Sequence, residues 1–400
     1  MVKRIAAALL VLGVIGVALL AILGVLDPSS VSGSDAPSVT TNAAPAVSAS
    51  EPPPVAPDPA PPTARAARAA AERGLTVRQA VGQHMIFAYD GLVPPAALRR
   101  RIARGEAAGV ILFARNVRSA GQVRAAMHRL QAIRRPRGLR APLIVMVDQE
   151  GGPVRRIPGA PARAAASVTS AAQARADGRA AARTLRAAGA NMNLAPVADV
   201  ARPGAALARE RRTYGRSATD VGRRAGAFAR GLREGGVRAT AKHFPGFGAA
   251  AINTDNAAQR IDTPLDTLRT VDAAPFERLI DARVDAVMVS TAVYPALDER
   301  PAAFSRRWVE DELRERLGFR GVSITDDLGT PAVDAYGSNR RRAVLAVAAG
   351  IDLPLFSSSY GAGAQAAEGL LAAAADGRLD AGRLREQARR VLALRARIPR

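Results

Sequence analysis

Four short polar motifs in this sequence each follow an apolar run, and each carries residues that could do chemistry. The motifs are DQEGGPVRR (148–156), PVADV (196–200), HFPGFG (243–248) and DDLG (326–329). A carboxylate placed directly after an apolar run is costly to remove from water unless a cation or a ligand binds it. One such motif could hold a buried structural salt bridge. Four motifs at equivalent positions indicate one shared site.

Carboxyl groups, cations and amides are the groups needed to cleave a glycosidic bond. One carboxylate attacks or stabilises the sugar, a second group protonates the leaving oxygen, and the others hold sugar hydroxyls. Asp326 and Asp327 are adjacent, so along a strand only one of them can face the site. Lys242 could lower the pKa of a nearby carboxylate, bind a sugar hydroxyl, or form an ion pair inside the fold. These residue types favour a sugar-cleaving site.

Eight apolar or β-branched runs are predicted to be strands, with Ala-, Arg- and Leu-rich stretches of helical period between them. The predicted strands are 84–88, 109–113, 143–147, 191–195, 238–242, 284–289, 321–325 and 350–355. This alternation is typical of parallel βα units, and no Gly-x-Gly-x-x-Gly turn follows the first strand to indicate a doubly wound sheet. The sequence therefore predicts the α/β class, as a single (β/α)8 TIM barrel. Functional residues of such barrels lie at or after the C-terminal ends of strands, where the four motifs occur.

The first 66 residues have the composition of an anchor and a linker. Two basic residues precede 5–26, a run of 22 residues without a charged or polar side chain, and at about 1.5 Å per residue it spans a bilayer core of roughly 30 Å. Its length and the Asp-Pro that follows favour an uncleaved transmembrane anchor over a cleaved signal peptide. We therefore expect a protein anchored in the cell membrane and facing outside, or secreted to the cell wall if the signal is cleaved. The predicted divisions are a signal anchor or signal peptide at 1–26, a disordered Pro/Ala/Ser-rich linker at 27–66 and the barrel at 75–396.

Composition bears on which other kinds of site are possible. The chain has no cysteine, which excludes disulfides, thiolate metal sites and cysteine nucleophiles. It has only three histidines, too few for a zinc site built on several of them, so we expect no metal and no organic cofactor. The net charge of +22 could favour an anionic polymer. Because the arginines are scattered along predicted helices and aromatic residues make up only 4%, we expect no nucleic-acid partner, and an acidic wall polymer is the alternative.

Several longer motifs occur in the order found in a known enzyme family. They include DQEGGPVRR (148–156), RRTYGRSA (211–218), KHFPGFG (242–248) and the run from PAAFSRR to TDDL (301–328). On these motifs the sequence resembles glycoside hydrolase family 3, in particular its single-domain bacterial β-N-acetylglucosaminidases of cell-wall recycling, over about residues 75–395. The resemblance implies a barrel fold and a retaining β-N-acetylhexosaminidase that needs no cofactor. Its implied partner is a carbohydrate, β-linked N-acetylglucosamine in peptidoglycan fragments. Independently of the resemblance, the apolar N-terminal run predicts contact with the membrane through an N-terminal helix.

The resemblance also implies roles for individual residues. The first aspartate of the family's Ser/Thr-Asp-Asp-Leu element is its catalytic nucleophile, and it falls on Asp326. The family's sugar-binding positions fall on Asp148, Arg156, Arg212, Lys242 and His243.

The loop after KHFPG departs from the family pattern. In the N-acetylglucosaminidases an Asp-Ser-His run supplies a general acid/base histidine that the aspartate orients. Here Asn253, Thr254 and Asp255 fall on that run, and Phe247 replaces another histidine. Either Asp255 is itself the general acid/base, oriented by Asn253, or catalysis is lost and the protein is a cell-wall sugar-binding module. A β-glucosidase-type activity, transfer to phosphate instead of water, and the oligomeric state stay open.

Overall fold

The computed structural model describes residues 74–399. The predicted anchor, 1–26, and the predicted linker, 27–66, lie outside the described residues, whereas the predicted barrel lies within them. From residue 74 to residue 399, no helix combines the length and the apolar character that crossing a membrane requires.

Seven parallel strands form one curled sheet, and they are neighbours in the order in which they occur along the chain. They are β1 (Ile86–Phe87), β2 (Gly109–Leu112), β3 (Ile144–Val147), β6 (Met192–Asn193), β7 (Arg238–Phe244), β8 (Ala286–Val289) and β11 (Val322–Thr325). Strands that follow one another in this way carry all their C-terminal ends at the same edge of the sheet. The predicted α/β class and the parallel βα repeat are confirmed.

The eighth predicted strand is present only as two isolated parallel contacts. Leu353 pairs with Ile324 of β11, and Phe356 pairs with Phe87 of β1. The segment therefore contacts both ends of the seven-stranded sheet. Its predicted start at Gly350 is wrong, because Gly350 ends the preceding helix in the left-handed conformation, with φ of 110°.

Most of the other strands are shorter than predicted, and one is longer. The first predicted strand began at His84, but His84 ends the helix before it. The ring nitrogens of His84 lie 2.7 and 3.2 Å from two backbone oxygens in the C-terminal part of the domain, which fixes this residue outside the sheet. Strand β7 continues beyond its predicted end to Phe244, so that Lys242 and His243 belong to the strand itself.

Helices connect the strands, and several of them begin at a side chain that caps the first turn. They are α1 (Val77–Gln83), α2 (Ala96–Arg104), α3 (Ala120–Gln131), α4 (Ala171–Ala187), α5 (Ala206–Arg209), α6 (Ala218–Glu234), α7 (Leu265–Thr267), α8 (Ala274–Asp281), α9 (Asn339–Ala349), α10 (Tyr360–Ala375) and α11 (Ala381–Ala396), with π-helical segments at Leu268–Asp272 and Arg307–Arg316. Four helices begin after a serine whose hydroxyl accepts a first-turn N–H, namely Ser119, Ser170, Ser217 and Ser359. Such caps satisfy donors that the helix itself leaves unpaired.

Alternate residues of the strands belong to two separate hydrophobic cores. In β3, Ile144 and Met146 belong to the smaller core, whereas Val145 and Val147 belong to the larger one. The smaller core also takes alternate residues from β8 and β11 and residues of helix α11. Because both faces of the seven-stranded sheet are buried, most of its strands are predominantly apolar. Strands β7 and β11 also carry buried polar side chains, at Thr240, Lys242, Ser323 and Thr325.

Two antiparallel strand pairs in the loops were not predicted from the sequence. Strand β4 (Gln149–Gly151) pairs with β5 (Val154–Arg155), which folds the DQEGGPVRR motif into a hairpin directly after β3. The Gln149 amide closes the base of this hairpin by donating to the backbone oxygens of Ile157 and Ala160 at 2.9 and 3.1 Å. A second pair, β9 (Val293–Tyr294) and β10 (Asp298–Pro301), follows β8.

Candidate active site

The side chains selected from the sequence lie at one edge of the sheet, where the strands end. Asp148 directly follows β3, Lys242 and His243 are near the end of β7, Asp326 directly follows β11, and Asp255 lies in the loop after β7. Arg156 follows the β4–β5 hairpin, and Arg212 lies in the connection between β6 and α6. This is the arrangement expected when parallel strands present their C-terminal ends together.

Five charged side chains of alternating sign form a connected network at this edge. The Nζ atom of Lys242 lies 2.8 Å from Oδ1 of Asp148 and 2.7 Å from Oε1 of Glu150. Arg212 binds Glu150 with two nitrogens, at 2.9 and 2.8 Å, and binds Glu210 at 3.0 Å. Of the roles open to Lys242 from the sequence, the ion pair inside the fold is therefore present.

Burial and charge together decide the protonation of this network. Lys242 is 2% exposed and Glu150 is 5% exposed. Burial by itself would raise the pKa of Glu150, but the charges of Arg212 and Lys242 outweigh it and hold that pKa well below its usual range. Burial would lower the pKa of Lys242, but the charges of Asp148 and Glu150 raise it instead. Lys242 and Glu150 therefore stay charged at neutral pH, and the third N–H of the Lys242 ammonium has no acceptor in the network.

Asp199 organises the start of the loop after β7. Its fully buried carboxylate accepts the backbone N–H of His243 at 3.2 Å, the His243 ring at Nδ1 at 2.8 Å, and the backbone N–H of Phe247 at 2.7 Å. Because a carboxylate accepts, Nδ1 donates and Nε2 of His243 is the nitrogen available to a ligand. The Phe247 ring packs edge-on against the imidazole with centroids 5.8 Å apart, so a nonpolar contact supports His243 at this point.

The carboxylate of Asp326 is held by two donors, one on each oxygen. The backbone N–H of Asp327 donates to Oδ1 at 2.9 Å, and the Thr254 hydroxyl donates to Oδ2 at 3.2 Å. The Asp327 carboxylate instead accepts the backbone N–H groups of Gly329 and Ser357 at 2.8 and 3.1 Å. The expectation that only one of the two adjacent aspartates faces the site agrees with these contacts.

Asp255 lies in an exposed turn of the loop, close to the Asp326 carboxylate. Although its side chain still meets solvent at the open edge of the site, partial burial, followed by the negative charges of Asp326 and Asp327, raises the pKa of Asp255 to about 6. Asn253 does not orient this carboxyl as expected. Its side-chain oxygen accepts the backbone N–H of Asp255 at 3.1 Å, which shapes the turn and leaves the carboxyl free.

Arg156 lies beside the network without a side-chain contact to it. Its backbone N–H donates to the carbonyl of Asp148 at 3.2 Å, and its guanidinium lies 6.0 Å from the ring centroid of Phe113. Arg115 approaches the same ring at 4.7 Å. The buried Nε of Arg156 has no hydrogen-bond partner among residues 74–399, so one donor beside Asp148 has no protein acceptor in this part of the chain.

Three residues of the site were not singled out from the sequence: Glu150, Asp199 and Thr254. Glu150 stands two positions after Asp148, on the same side of an extended chain, and this spacing was the available signal. Asp199 is the acidic residue of PVADV, a motif recognised only for following a strand. Thr254 carried no local signal, because its contact with Asp326 joins segments 72 residues apart.

The arrangement can carry out acid–base chemistry on a bound sugar. It combines a carboxylate held by two donors, a second carboxyl with a pKa of about 6, and charged groups with unused donors. Two carboxyl groups in unlike environments can divide the roles of nucleophile and acid. Among the described residues, no group of three or more histidine, aspartate or glutamate side chains is arranged to hold a metal ion.

The chain is similar over most of its length to known glycosidases. Residues 76–394 match the glycosyl hydrolase family 3 N terminal domain. A protein of Arthroderma benhamiae described as an uncharacterized secreted glycosyl hydrolase is 38% identical over 344 residues, which are 83% of this chain and 97% of that protein. The beta-hexosaminidase of Alkalilimnicola ehrlichii is 36% identical over 282 residues, 68% of this chain and 79% of the enzyme.

Solved structures agree with this similarity. The beta-N-acetylhexosaminidase from Beutenbergia cavernae is 36% identical, with a TM-score of 0.73 over 80% of this chain and 98% of that one. A glycoside hydrolase family 3 beta-N-acetylglucosaminidase from Paenibacillus sp. is 34% identical, with a TM-score of 0.75 over 81% of this chain. The match spans 63% of the Paenibacillus chain, so that protein is considerably longer.

Proposed function

The chain belongs to glycosyl hydrolase family 3 and is a hydrolase similar to β-hexosaminidases, and from this premise we propose that it is an exported, retaining β-N-acetylhexosaminidase. The observation that carries the proposal is the unequal environment of two carboxyl groups in one site. Asp326 is held by two donors, and the pKa of Asp255 is raised to about 6. The first suits a nucleophile that stays ionised, and the second suits a general acid.

In the first step of the proposed reaction, an oxygen of Asp326 attacks the anomeric carbon of the sugar. The bond from this carbon to the leaving oxygen breaks, and the leaving oxygen takes the proton of Asp255. The product of this step is a glycosyl ester on Asp326, with Asp255 ionised.

In the second step, Asp255 acts as a base. It takes a proton from a water molecule, whose oxygen attacks the anomeric carbon and displaces Asp326. The sugar is released with its original anomeric configuration, Asp326 is again a carboxylate and Asp255 again carries a proton. The two steps need no group beyond these two carboxyls and water.

The sugar-binding roles of Asp148, Arg156, Arg212, Lys242 and His243 form part of the proposal. The ion pairs of Lys242 and Arg212 fix their donors in place before a sugar arrives, which lowers the cost of ordering them on binding. Nε2 of His243 and the partly exposed guanidinium of Arg156 are the further polar groups that a hydroxyl could contact.

The substrate, location and closed fold are also proposed. We propose peptidoglycan-derived β-linked N-acetylglucosamine as the substrate, supported by the resemblance to cell-wall recycling enzymes. Residues 1–26 would anchor the protein or direct its export, and a secreted relative agrees with a site outside the cytoplasm. Residues 75–396 would form a closed (β/α)8 barrel, supported by the contacts of Leu353 and Phe356 with both ends of the sheet.

Steady-state hydrolysis of an aryl β-N-acetylglucosaminide, beside the aryl β-glucoside, tests the proposal. We expect cleavage of the first substrate by the full-length protein and no detectable cleavage by Asp326→Ala. Asp255→Ala should lose most of its activity and recover part of it with azide or an activated leaving group. Asp376→Asn is the control, because within the described part of the chain Asp376 pairs only with the neighbouring Arg378 on the surface. Its activity should be unchanged.

Two results would assign a different function. Cleavage of the β-glucoside alone would indicate a β-glucosidase-type enzyme. Failure to cleave either substrate at high enzyme concentration, with intact binding of N-acetylglucosamine, would indicate the sugar-binding module.

A further inference from the structure

One turn of the loop after β7 places two neighbouring residues at the site, Thr254 buried and Asp255 exposed. Thr254 is 1% exposed, and its hydroxyl donates to Oδ2 of Asp326 at 3.2 Å. Asp255, the next residue, is exposed, and no side chain or backbone N–H of residues 74–399 donates to its carboxyl. A hydrogen bond to a carboxylate favours its ionised form, so this turn stabilises the ionised form of Asp326 but donates no hydrogen bond to the Asp255 carboxyl.

The direction of the Thr254 hydroxyl is fixed by the loop around it. At the N-terminal end of the loop, the backbone carbonyl of Ala250 accepts the N–H of Ala206 at 2.9 Å. At its C-terminal end, the N–H of Ile261 donates to the backbone carbonyl of Val293 at 2.9 Å. Within the turn, Asn253 accepts the N–H of Asp255 at 3.1 Å. The loop is therefore held on both sides, and Thr254 does not depend on a ligand to reach Asp326.

The charged groups around the turn act on Asp255 in opposite directions. Asp255 faces the negative charges of Asp326 and Asp327, which act with burial to favour its protonated form, and the positive charge of Arg212, which acts against it. Asp326 accepts two hydrogen bonds that the Asp255 carboxyl lacks among residues 74–399, one from the hydroxyl of Thr254 and one from the backbone N–H of its neighbour.

We propose that Thr254 is a positioning residue that determines which of the two carboxyl groups is protonated. Its hydroxyl keeps Asp326 ionised and oriented, and the proton therefore stays on Asp255. The inference rests on the proposed function, since it takes Asp326 as the nucleophile and Asp255 as the acid. One turn of the chain then supplies the acid and the group that keeps the nucleophile charged.

The test compares Thr254→Val, which removes the hydroxyl at nearly constant shape, with Thr254→Ser, which retains it. For each full-length variant kcat/KM is measured against pH with two substrates, an aryl β-N-acetylglucosaminide with a poor leaving group and its dinitrophenyl analogue. The analogue needs no acid, so only steps that depend on Asp326 limit it. Thr270→Val is the matched control, because the exposed Thr270 hydroxyl donates only to the backbone carbonyl of Asp266 among residues 74–399, and its kinetics should equal those of the parent.

We expect kcat/KM of Thr254→Val to fall about ten- to a hundredfold with both substrates, the effect of losing one hydrogen bond to a charged group. The acidic limb of its pH profile should move up by about one to two units, and Thr254→Ser should restore both. An unshifted acidic limb, or a defect that disappears with the dinitrophenyl substrate, would overturn the inference while the proposed function stands. A parent inactive on both substrates would overturn the proposed function and this inference with it.

Discussion

Replacing Glu150 by glutamine tests whether the charged network at the sheet edge is needed for stability as well as for binding. The substitution keeps the shape of the side chain and removes its charge. Arg212 then loses a partner at 2.9 and 2.8 Å, and Lys242 loses one at 2.7 Å. Lys242 retains Asp148, and Arg212 retains the more exposed Glu210.

The expected loss follows from the burial of the partners. Removing one member of a buried ion pair leaves an uncompensated charge and typically costs about 3–5 kcal/mol. Glu150 contacts two cations, but each of them keeps one other carboxylate. We therefore expect the free energy of unfolding to fall by less than this, by about 1.5–3 kcal/mol for the lost charged hydrogen bonds. The proposed sugar-binding donors of Lys242 and Arg212 would also lose their alignment, so KM should rise more than kcat falls.

Urea denaturation of the parent and of Glu150→Gln at pH 7 measures this difference as a shift of the midpoint at constant slope. Glu234→Gln is the matched control, since Glu234 also contacts two arginines, Arg175 and Arg179, but on the surface, where ion pairs contribute little. A loss for Glu150→Gln no larger than that for Glu234→Gln would refute the reasoning.

The same pair of proteins should respond differently to acid. The pKa of Glu150 is held well below its ordinary value of 4.5, so in the unfolded chain this carboxylate takes up a proton at a pH where the folded protein still keeps it ionised. The stability that Glu150 contributes is fully present above pH 4.5 and is lost as the pH falls below it. The difference in the free energy of unfolding between the parent and Glu150→Gln should therefore become smaller below pH 4.5.

Two further predictions concern the loop after β7. Because the pKa of Asp255 is raised to about 6 and a general acid must be protonated, kcat/KM for a substrate with a poor leaving group should decline as the pH rises through this value. In Asp255→Asn this alkaline limb of the pH profile should disappear, and its persistence would contradict the role of Asp255 as the acid. Gly248→Ala should destabilise the protein by about 1–3 kcal/mol in thermal unfolding, because the added Cβ would lie 1.9 Å from the backbone oxygen of Val200. Gly226→Ala is its control, since an added Cβ there meets nothing within 4 Å in helix α6, and it should be neutral or stabilising by up to about 1 kcal/mol.

The strand order and the edge that carries the site were predictable from the sequence. A parallel strand buried on both faces is rich in apolar residues, so runs such as 143–147 and 284–289 are visible without a structure. The polar residues that follow them mark the C-terminal edge. Strand bounds were less accurate, because contacts made elsewhere set them, as at His84, whose ring faces two backbone oxygens more than 260 residues away.

The candidate site was predictable only in part. The proposed nucleophile and sugar-binding positions followed from motifs, and Asp148, Lys242 and Arg212 lie in one network. The sequence also located the altered loop and its carboxyl, Asp255. It did not indicate that Asn253 would bind the backbone of Asp255 instead of its carboxyl.

The sequence by itself determined the residue types, the βα alternation and the edge of the sheet at which the charged and polar side chains of the site lie. The tertiary structure decided which charged group pairs with which and how far each is removed from water. Lys242 meets Asp148 across 94 residues of sequence, and Thr254 meets Asp326 across 72. Because charge interactions depend on distance and burial in three dimensions, the raised pKa of Asp255 and the lowered pKa of Glu150 arise only when the curled sheet brings these segments together.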